Sequence, residues 1–166
     1  MLYHIFDNFL DQNDFNSIKD TMLDHFFPWH YNNMKTNDMD SLYNFQFTHL
    51  FYENYKPNSH LFEMLEPLVS KINPAALIRI KANLTPLTEE KVTYDYHVDY
   101  QDIQCKTAIY YVNTNDGVTL FQDGTSVESL ENRLVVFDSN VQHTGTSCTD
   151  QKVRCVINLN YFERNH

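Results

Sequence analysis

His97, Asp99 and His143 are the residues of this chain whose types best suit a metal ion. Two imidazoles and one carboxylate form the facial triad of non-haem Fe(II) sites, a ligand set that leaves positions open on the metal. Arg154 lies eleven residues beyond His143. A guanidinium fork binds a carboxylate through two parallel hydrogen bonds, which suits an anchor for an organic-acid cosubstrate. Taken singly, either histidine reads as a polar strand or loop residue, and Arg154 as half of a surface ion pair. Their order along the chain gives the combination its weight. Zinc could occupy three such ligands plus water. The organic-acid anchor favours Fe(II) over zinc, manganese or a metal-free core.

These residues need rigid elements to hold them. Side chains two apart on a strand face the same way, so a strand over Thr93–Val98 would turn His97 and, at its end, Asp99 inward together. His143 must arrive from a distant strand. Alternation of Ile78, Ile80, Ala82 and Leu84 with Arg79, Lys81 and Asn83 marks a strand after Pro74. Further strands are expected near Lys106–Asn113, Val118–Phe121, Arg133–Phe137, Gln142–Thr144 and Val153–Phe162. In the last of these, Arg154, Val156 and Asn158 share one face, opposite Cys155, Ile157 and Leu159. The short, regularly spaced strands predict a mainly β fold, a double-stranded β-helix or cupin-like jelly roll, which can hold a metal inside its barrel.

The first 74 residues read as a helix-rich support for a β-rich core over residues 75–166, the whole forming one domain. A short strand is expected at residues 2–6. Asp11 is placed to cap a helix from Gln12 to Leu23, with Phe15, Ile18 and Met22 on its apolar face. Pro28 ends this helix or starts the next loop, residues 32–44 read as polar loop, and a strand follows at Phe45–Tyr52. Ser59 is placed to cap a second helix from His60 to Ile72, with Leu61, Leu65, Leu68 and Ile72 as its stripe and a kink or break at Pro67. The two helices would cover one outer face. Trp29, His30 and Tyr31, with the loop through Tyr43, could line a pocket mouth or pack at the helix end. Asp138 could orient a metal ligand or cap a turn.

Composition sets outer bounds. The 166 residues carry 12 basic and 22 acidic side chains, a net charge of −10. That balance disfavours nucleic acid and anionic membrane surfaces as partners, although the basic residues Arg79, Lys81 and Lys91 do not exclude nucleic acid, and net charge does not describe a cleft. With 42% hydrophobic residues, including 11 Tyr and 12 Phe, the chain has material for a packed core. No stretch reaches transmembrane length. Three cysteines, Cys105, Cys148 and Cys155, lack metal-ligand spacing, and their odd number with no signal peptide predicts a reducing, cytoplasmic setting. The only glycines are Gly117, Gly124 and Gly145, which mark turns or places of close approach.

Over Arg79–Phe162 the sequence resembles the iron(II)/2-oxoglutarate-dependent dioxygenases, especially the prolyl 4-hydroxylase-like branch and its small phage and marine bacterial versions. The family's HxD and distal His fall on His97, Asp99 and His143, and its basic residue for the distal 2-oxoglutarate carboxylate on Arg154 in RCVIN. TAIYYVN, Thr107 to Asn113, resembles an aromatic strand of the family. The resemblance assigns Tyr111 to the same carboxylate, Asn83 to the metal-proximal end of the cosubstrate and Thr107 to the pocket. DGVTLFQDG keeps Gly117 of a family glycine pair, with Val118 in place of the second. The implied activity is an oxidoreductase using Fe(II), 2-oxoglutarate and O2, with succinate and CO2 released and a peptidyl (prolyl) or small-molecule substrate hydroxylated. The intact Asp99 favours hydroxylation over halogenation. Two non-enzymatic alternatives are a metal- or 2-oxoglutarate-binding cupin-like module and a structural jelly-roll protein.

Overall fold

The computed structural model describes residues 2–35 and 41–164. Eleven strands and two α-helices run in the order β1 (Tyr3–Phe6), α1 (Gln12–Leu23), β2 (His30–Asn32), β3 (Gln46–Glu53), β4 (Lys56–Pro57), a 3-10 helix (His60–Leu65), α2 (Glu66–Ile72), β5 (Ala76–Pro86), β6 (Lys106–Tyr111), β7 (Val118–Phe121), β8 (Ser126–Glu128), β9 (Arg133–Asp138), β10 (His143–Gly145) and β11 (Val153–Phe162). Eight strands form a major sheet ordered β1-β9-β6-β11-β5-β3-β2, with β4 on β3, and three form a minor sheet ordered β10-β7-β8. The architecture is the double-stranded β-helix with flanking helices that the strand spacing predicts. None of the described helices is long and apolar enough to cross a membrane.

Alternation explains how two apolar layers arise from one sheet. On the outer face Ala108, Tyr110, Val112, Leu134, Cys155, Ile157 and Leu159 meet Phe15, Ile18 and Met22 of α1 and Leu65 and Leu68 of the second helical segment. On the inner face Ile109, Tyr111, Val135, Phe137 and Val156 pack against Phe121 and Val127 of the minor sheet. Pro67 lies in the first turn of α2, where the missing N–H costs nothing. The His60–Ile72 segment therefore breaks at residue 66 into a 3-10 turn and an α-helix. The Ser59 side chain accepts from Leu61 N, whereas Asp11 occupies the cap position of α1 without a side-chain bond.

Several elements depart from the sequence expectations. Besides the expected strands β1 and β3, the first 74 residues supply β2 and β4, and all four join the major sheet. The segment Thr93–Val98 is not a strand. It makes two isolated bridges, Thr93 with Thr146 and His97 with His143. It runs antiparallel along β10, with Tyr94 N bonded to Gly145 O and His97 N to His143 O, but the register slips by one residue between the two bridges, so no continuous ladder forms. Trp29 turns its ring to the core and donates Nε1 to Met22 O at 3.2 Å, while Tyr31 packs at an angle against Phe45 and edge-on against Phe47. Neither lines the central cavity. Of the polar loop expected at 32–44, residues 36–40 lie outside the described residues.

A buried side chain, Asn132, fixes the segment that leads into α1 against the sheet. Asn132 accepts from Leu10 N and from the Tyr110 hydroxyl, and donates to Leu10 O, all at 2.7–2.8 Å. Its backbone is left-handed at φ 59°, a region asparagine tolerates better than most residues. Asn132→Ala strands the Leu10 backbone groups and adds backbone strain, so chemical denaturation should show a loss of about 2–4 kcal/mol in unfolding free energy.

Candidate metal and dicarboxylate site

The reciprocal backbone bonds between His97 and His143, 2.9 and 3.0 Å, bring residues 46 apart in sequence to one rim of the cavity. Each imidazole has its orientation set from behind. His143 Nδ1 lies 2.9 Å from Val141 O and His97 Nδ1 3.4 Å from Asp95 O. A carbonyl can only accept, so Nδ1 carries the proton and Nε2 is free to donate its lone pair. Asp99 is fixed in the same way. Its Oδ2 accepts from Thr107 Oγ1 at 2.7 Å and Asn160 Nδ2 at 2.8 Å, leaving Oδ1 facing the histidines. Oδ1 is 3.8 Å from His97 Nε2 and 4.0 Å from His143 Nε2, and donor atoms of the three residues all lie within 4.8 Å of one another. Donors at right angles around one ion stand about 3 Å apart at metal–ligand distances of ~2.1 Å. The exposed His97 ring has room to close that gap.

Protonation suits a cation as well. Burial lowers the pKa of His143, with Asp99 opposing only in part. Burial alone would raise that of Asp99, but the His143 charge, the Asn160 and Thr107 hydrogen bonds and Arg79 together bring it below the usual carboxylate value. Neutral imidazole and ionised carboxylate are the forms a metal needs. The donor set, each member aimed by a hydrogen bond on its far side, thus fits a divalent ion with open positions.

Arg154 lies in the same cavity, buried on β11 and with no acidic partner among the described residues. Its Nε donates to Ser129 Oγ at 3.0 Å and Nη2 to Thr119 Oγ1 at 3.1 Å. Thr119 Oγ1 is also 2.7 Å from the Tyr111 hydroxyl. Tyr111 is fully buried behind Thr119, and the Arg154 guanidinium carbon lies 5.8 Å from its ring centroid. Two glycines make room for the guanidinium. A Cβ on Gly117 would stand 2.6 Å from Arg154 Cδ, and one on Gly145 3.2 Å from Nη1. Close approach, not a turn, requires glycine there. A buried guanidinium without a counter-ion is costly, so this cradle fits a carboxylate.

The remaining wall comes from β5 and from a residue that sequence reading did not select. Asn83 lines the cavity with a buried Oδ1 that lacks a partner. Thr107 reaches Asp99 and does not line the cavity itself. Asp138 is exposed and pairs with Lys106 at 2.7 Å, away from the metal donors. Lys35, from the loop after β2, sends Nζ to Thr85 Oγ1 at 2.8 Å and over the Tyr94 ring at 3.6 Å. Burial, reinforced by Arg154, pushes its pKa well down. No sequence pattern marks Lys35. Asn160 was findable as the next inward position after Arg154, Val156 and Asn158, whereas Thr119 reaches the site only through its pairing with Gly145.

Among solved structures, the chain is similar along 98% of its length to a prolyl hydroxylase from Trichoplax adhaerens, in complex with a hypoxia inducible factor peptide (TM-score 0.64, 17% identity, 84% of that chain). It is similar along 96% of its length to a viral collagen prolyl hydroxylase from Paramecium Bursaria Chlorella virus-1 (TM-score 0.59, 14% identity, 95% of that chain). It is also similar along 98% to the alpha ketoglutarate dependent epimerase SnoN of nogalamycin biosynthesis (TM-score 0.69, 12% identity, 78% of that chain). The fold is that of the 2-oxoglutarate/Fe(II) oxygenases. No protein-family profile matches the chain, and no curated protein matches it. Within this oxygenase fold the similar structures include hydroxylases and an epimerase, so the fold leaves the acceptor open.

The Asn160 amide supports Asp99, and leucine has a similar volume without the hydrogen bond. Asn160→Leu should weaken divalent-metal binding by about 10–100-fold, measured by metal titration, while far-UV circular dichroism stays that of the wild type.

Proposed function

We propose that the protein is an Fe(II)- and 2-oxoglutarate-dependent dioxygenase of the prolyl 4-hydroxylase-like branch. It would hydroxylate a peptidyl, including prolyl, or small-molecule substrate and release succinate and CO2. One observation carries this reading: a buried guanidinium without an acidic partner lines the same cavity as three convergent metal donors. A metal-binding module would need only the donors, and a structural jelly roll would need neither.

His97, Asp99 and His143 would hold the iron, and Arg154, backed by Thr119 and Tyr111, the distal carboxylate of 2-oxoglutarate. Asn83 turns its unpartnered Oδ1 into the same cavity and would steady the metal-proximal end. When bound, the iron and 2-oxoglutarate supply oxygen activation, one oxygen atom going to succinate and one to the acceptor. The chain's own contribution is positioning. Thr107 and Asn160 keep Oδ2 of Asp99 engaged so that Oδ1 stays directed to the histidines. Ser129 and Thr119 hold the Arg154 fork while the apolar inner layer closes around it. Three free, buried cysteines suit a reducing, cytoplasmic compartment.

Purified protein supplied with Fe(II), O2 and 2-oxoglutarate should form succinate, faster with its acceptor. Asp99→Ala should reduce that to background. Arg154→Met should raise the KM for 2-oxoglutarate by about 30-fold or more through loss of the charged pair, with the metal affinity retained. Binding of 2-oxoglutarate without any turnover would leave the non-catalytic module as the better reading, and an unchanged KM in Arg154→Met would remove its assigned role.

A further inference from the structure

The cavity has a second cationic end that neither the metal donors nor Arg154 accounts for. β5 turns Arg79, Lys81, Asn83 and Thr85 toward it at every second position. Register with β11 sets Thr85 opposite Arg154, Lys81 opposite Asn158 and Arg79 opposite Asn160. Arg79 and Thr85 are thus separated by about 20 Å of strand. The dicarboxylate anchor lies at one end of the strip. Arg79 lies at the other, beside the Asn160 that holds Asp99, and its charge is felt at that carboxylate.

Neither Arg79 nor Lys81 makes a salt bridge or hydrogen bond among the described residues, and Arg79 Nε is buried without any partner. The Arg79 guanidinium carbon lies 5.8 Å from the Tyr100 ring centroid. Lys81 senses Arg79 as a like charge, and Asp99 and Glu53 as opposite ones at a distance. Asp99 is committed to the metal site, so its charge is not free to balance both cations. Asn158, directly across from Lys81, carries a buried Oδ1 that also lacks a partner. Unpaired cations and an unpaired acceptor on one wall call for a ligand with an anion and a hydrogen-bond donor. The cavity volume is about 310 Å3, near the lower end of ligand pockets at roughly 300 Å3, and the cosubstrate must share it.

Resting on the oxygenase reading above, we propose that Arg79 and Lys81 form the acceptor subsite. The acceptor is a small free carboxylic acid bearing an amino or hydroxyl group, not a residue inside a peptide. Its carboxylate meets the Arg79 fork and the Lys81 ammonium, and its N–H or O–H donates to Asn158 Oδ1. In the overall reaction a C–H bond of this acid becomes C–OH. O2 supplies the oxygen, and decarboxylation of 2-oxoglutarate to succinate supplies the two balancing electrons.

The test is calorimetric binding to wild-type protein loaded anaerobically with Fe(II) and 2-oxoglutarate. The probes are a panel of α-amino and α-hydroxy acids, their primary amides, and an end-blocked prolyl peptide. At least one acid should bind, with its amide at least about tenfold weaker. Arg79→Gln and Lys81→Met should each weaken that acid at least about tenfold, while 2-oxoglutarate affinity, which also reports correct folding, stays within about twofold of wild type. The proposal is overturned if no acid binds, if the amide or the blocked peptide binds as well as the acid, or if both variants bind the acid like wild type. Failure of wild-type protein to bind 2-oxoglutarate would instead remove the oxygenase reading, and the acceptor subsite with it.

Discussion

The alternation of side chains along β11 ties the core of this protein to its site. Cys155, Ile157 and Leu159 point to the helical layer, and Arg154, Val156, Asn158 and Asn160 to the opposite face. The first set anchors the strand in the middle of the major sheet, between β6 and β5. The second set contains both the buried Arg154 guanidinium and the amide that clamps Asp99. A slip of one residue in register would exchange the two faces, burying a charge among aliphatic side chains and releasing both functions together. Stability of the helix–sheet interface and geometry of the site are therefore one constraint.

The same strand shows what could be read from the sequence. Where a side-chain pattern is local, it was legible: the 12–23 helix, the β5 and β11 alternation, and the break at Pro67 all follow from nearest neighbours along the chain. Thr93–Val98 has an alternating look, but its pairing with β10 slips by one residue between Thr93–Thr146 and His97–His143. Nothing within the segment announces that. The short β2, β4 and β8 are likewise defined by what they lie beside. In the site, the metal donors declare themselves by type, since few residues can ligate iron. Thr119 and Ser129 do not, because a hydroxyl that steadies an arginine is chemically indistinct from any surface hydroxyl until the fold brings it within 3.1 Å. Lys35 enters from a loop and carries no periodic signal.

Charge is distributed against the average of the molecule. A chain with net charge −10 lines one cavity with Lys35, Arg79, Lys81 and Arg154, and places a single carboxylate, Asp99, among them. In such a recess cationic side chains attract small anions over a distance, while the acidic exterior repels extended polyanions. This matches an oxygenase whose cosubstrate is a dicarboxylate. It also explains why overall charge was a poor guide to the pocket.

The central claim is that His97, Asp99, His143 and Arg154 together form one Fe(II)/2-oxoglutarate site. Visible absorption during anaerobic addition of Fe(II) and 2-oxoglutarate tests it most directly, because a cosubstrate chelated to iron gives a metal-to-ligand charge-transfer band. The account predicts a band in the wild type that needs both additions, is lost in His143→Ala, and in Arg154→Met appears only at much higher 2-oxoglutarate. Absence of the band in wild-type protein that demonstrably binds Fe(II), or its persistence in His143→Ala, would contradict the account.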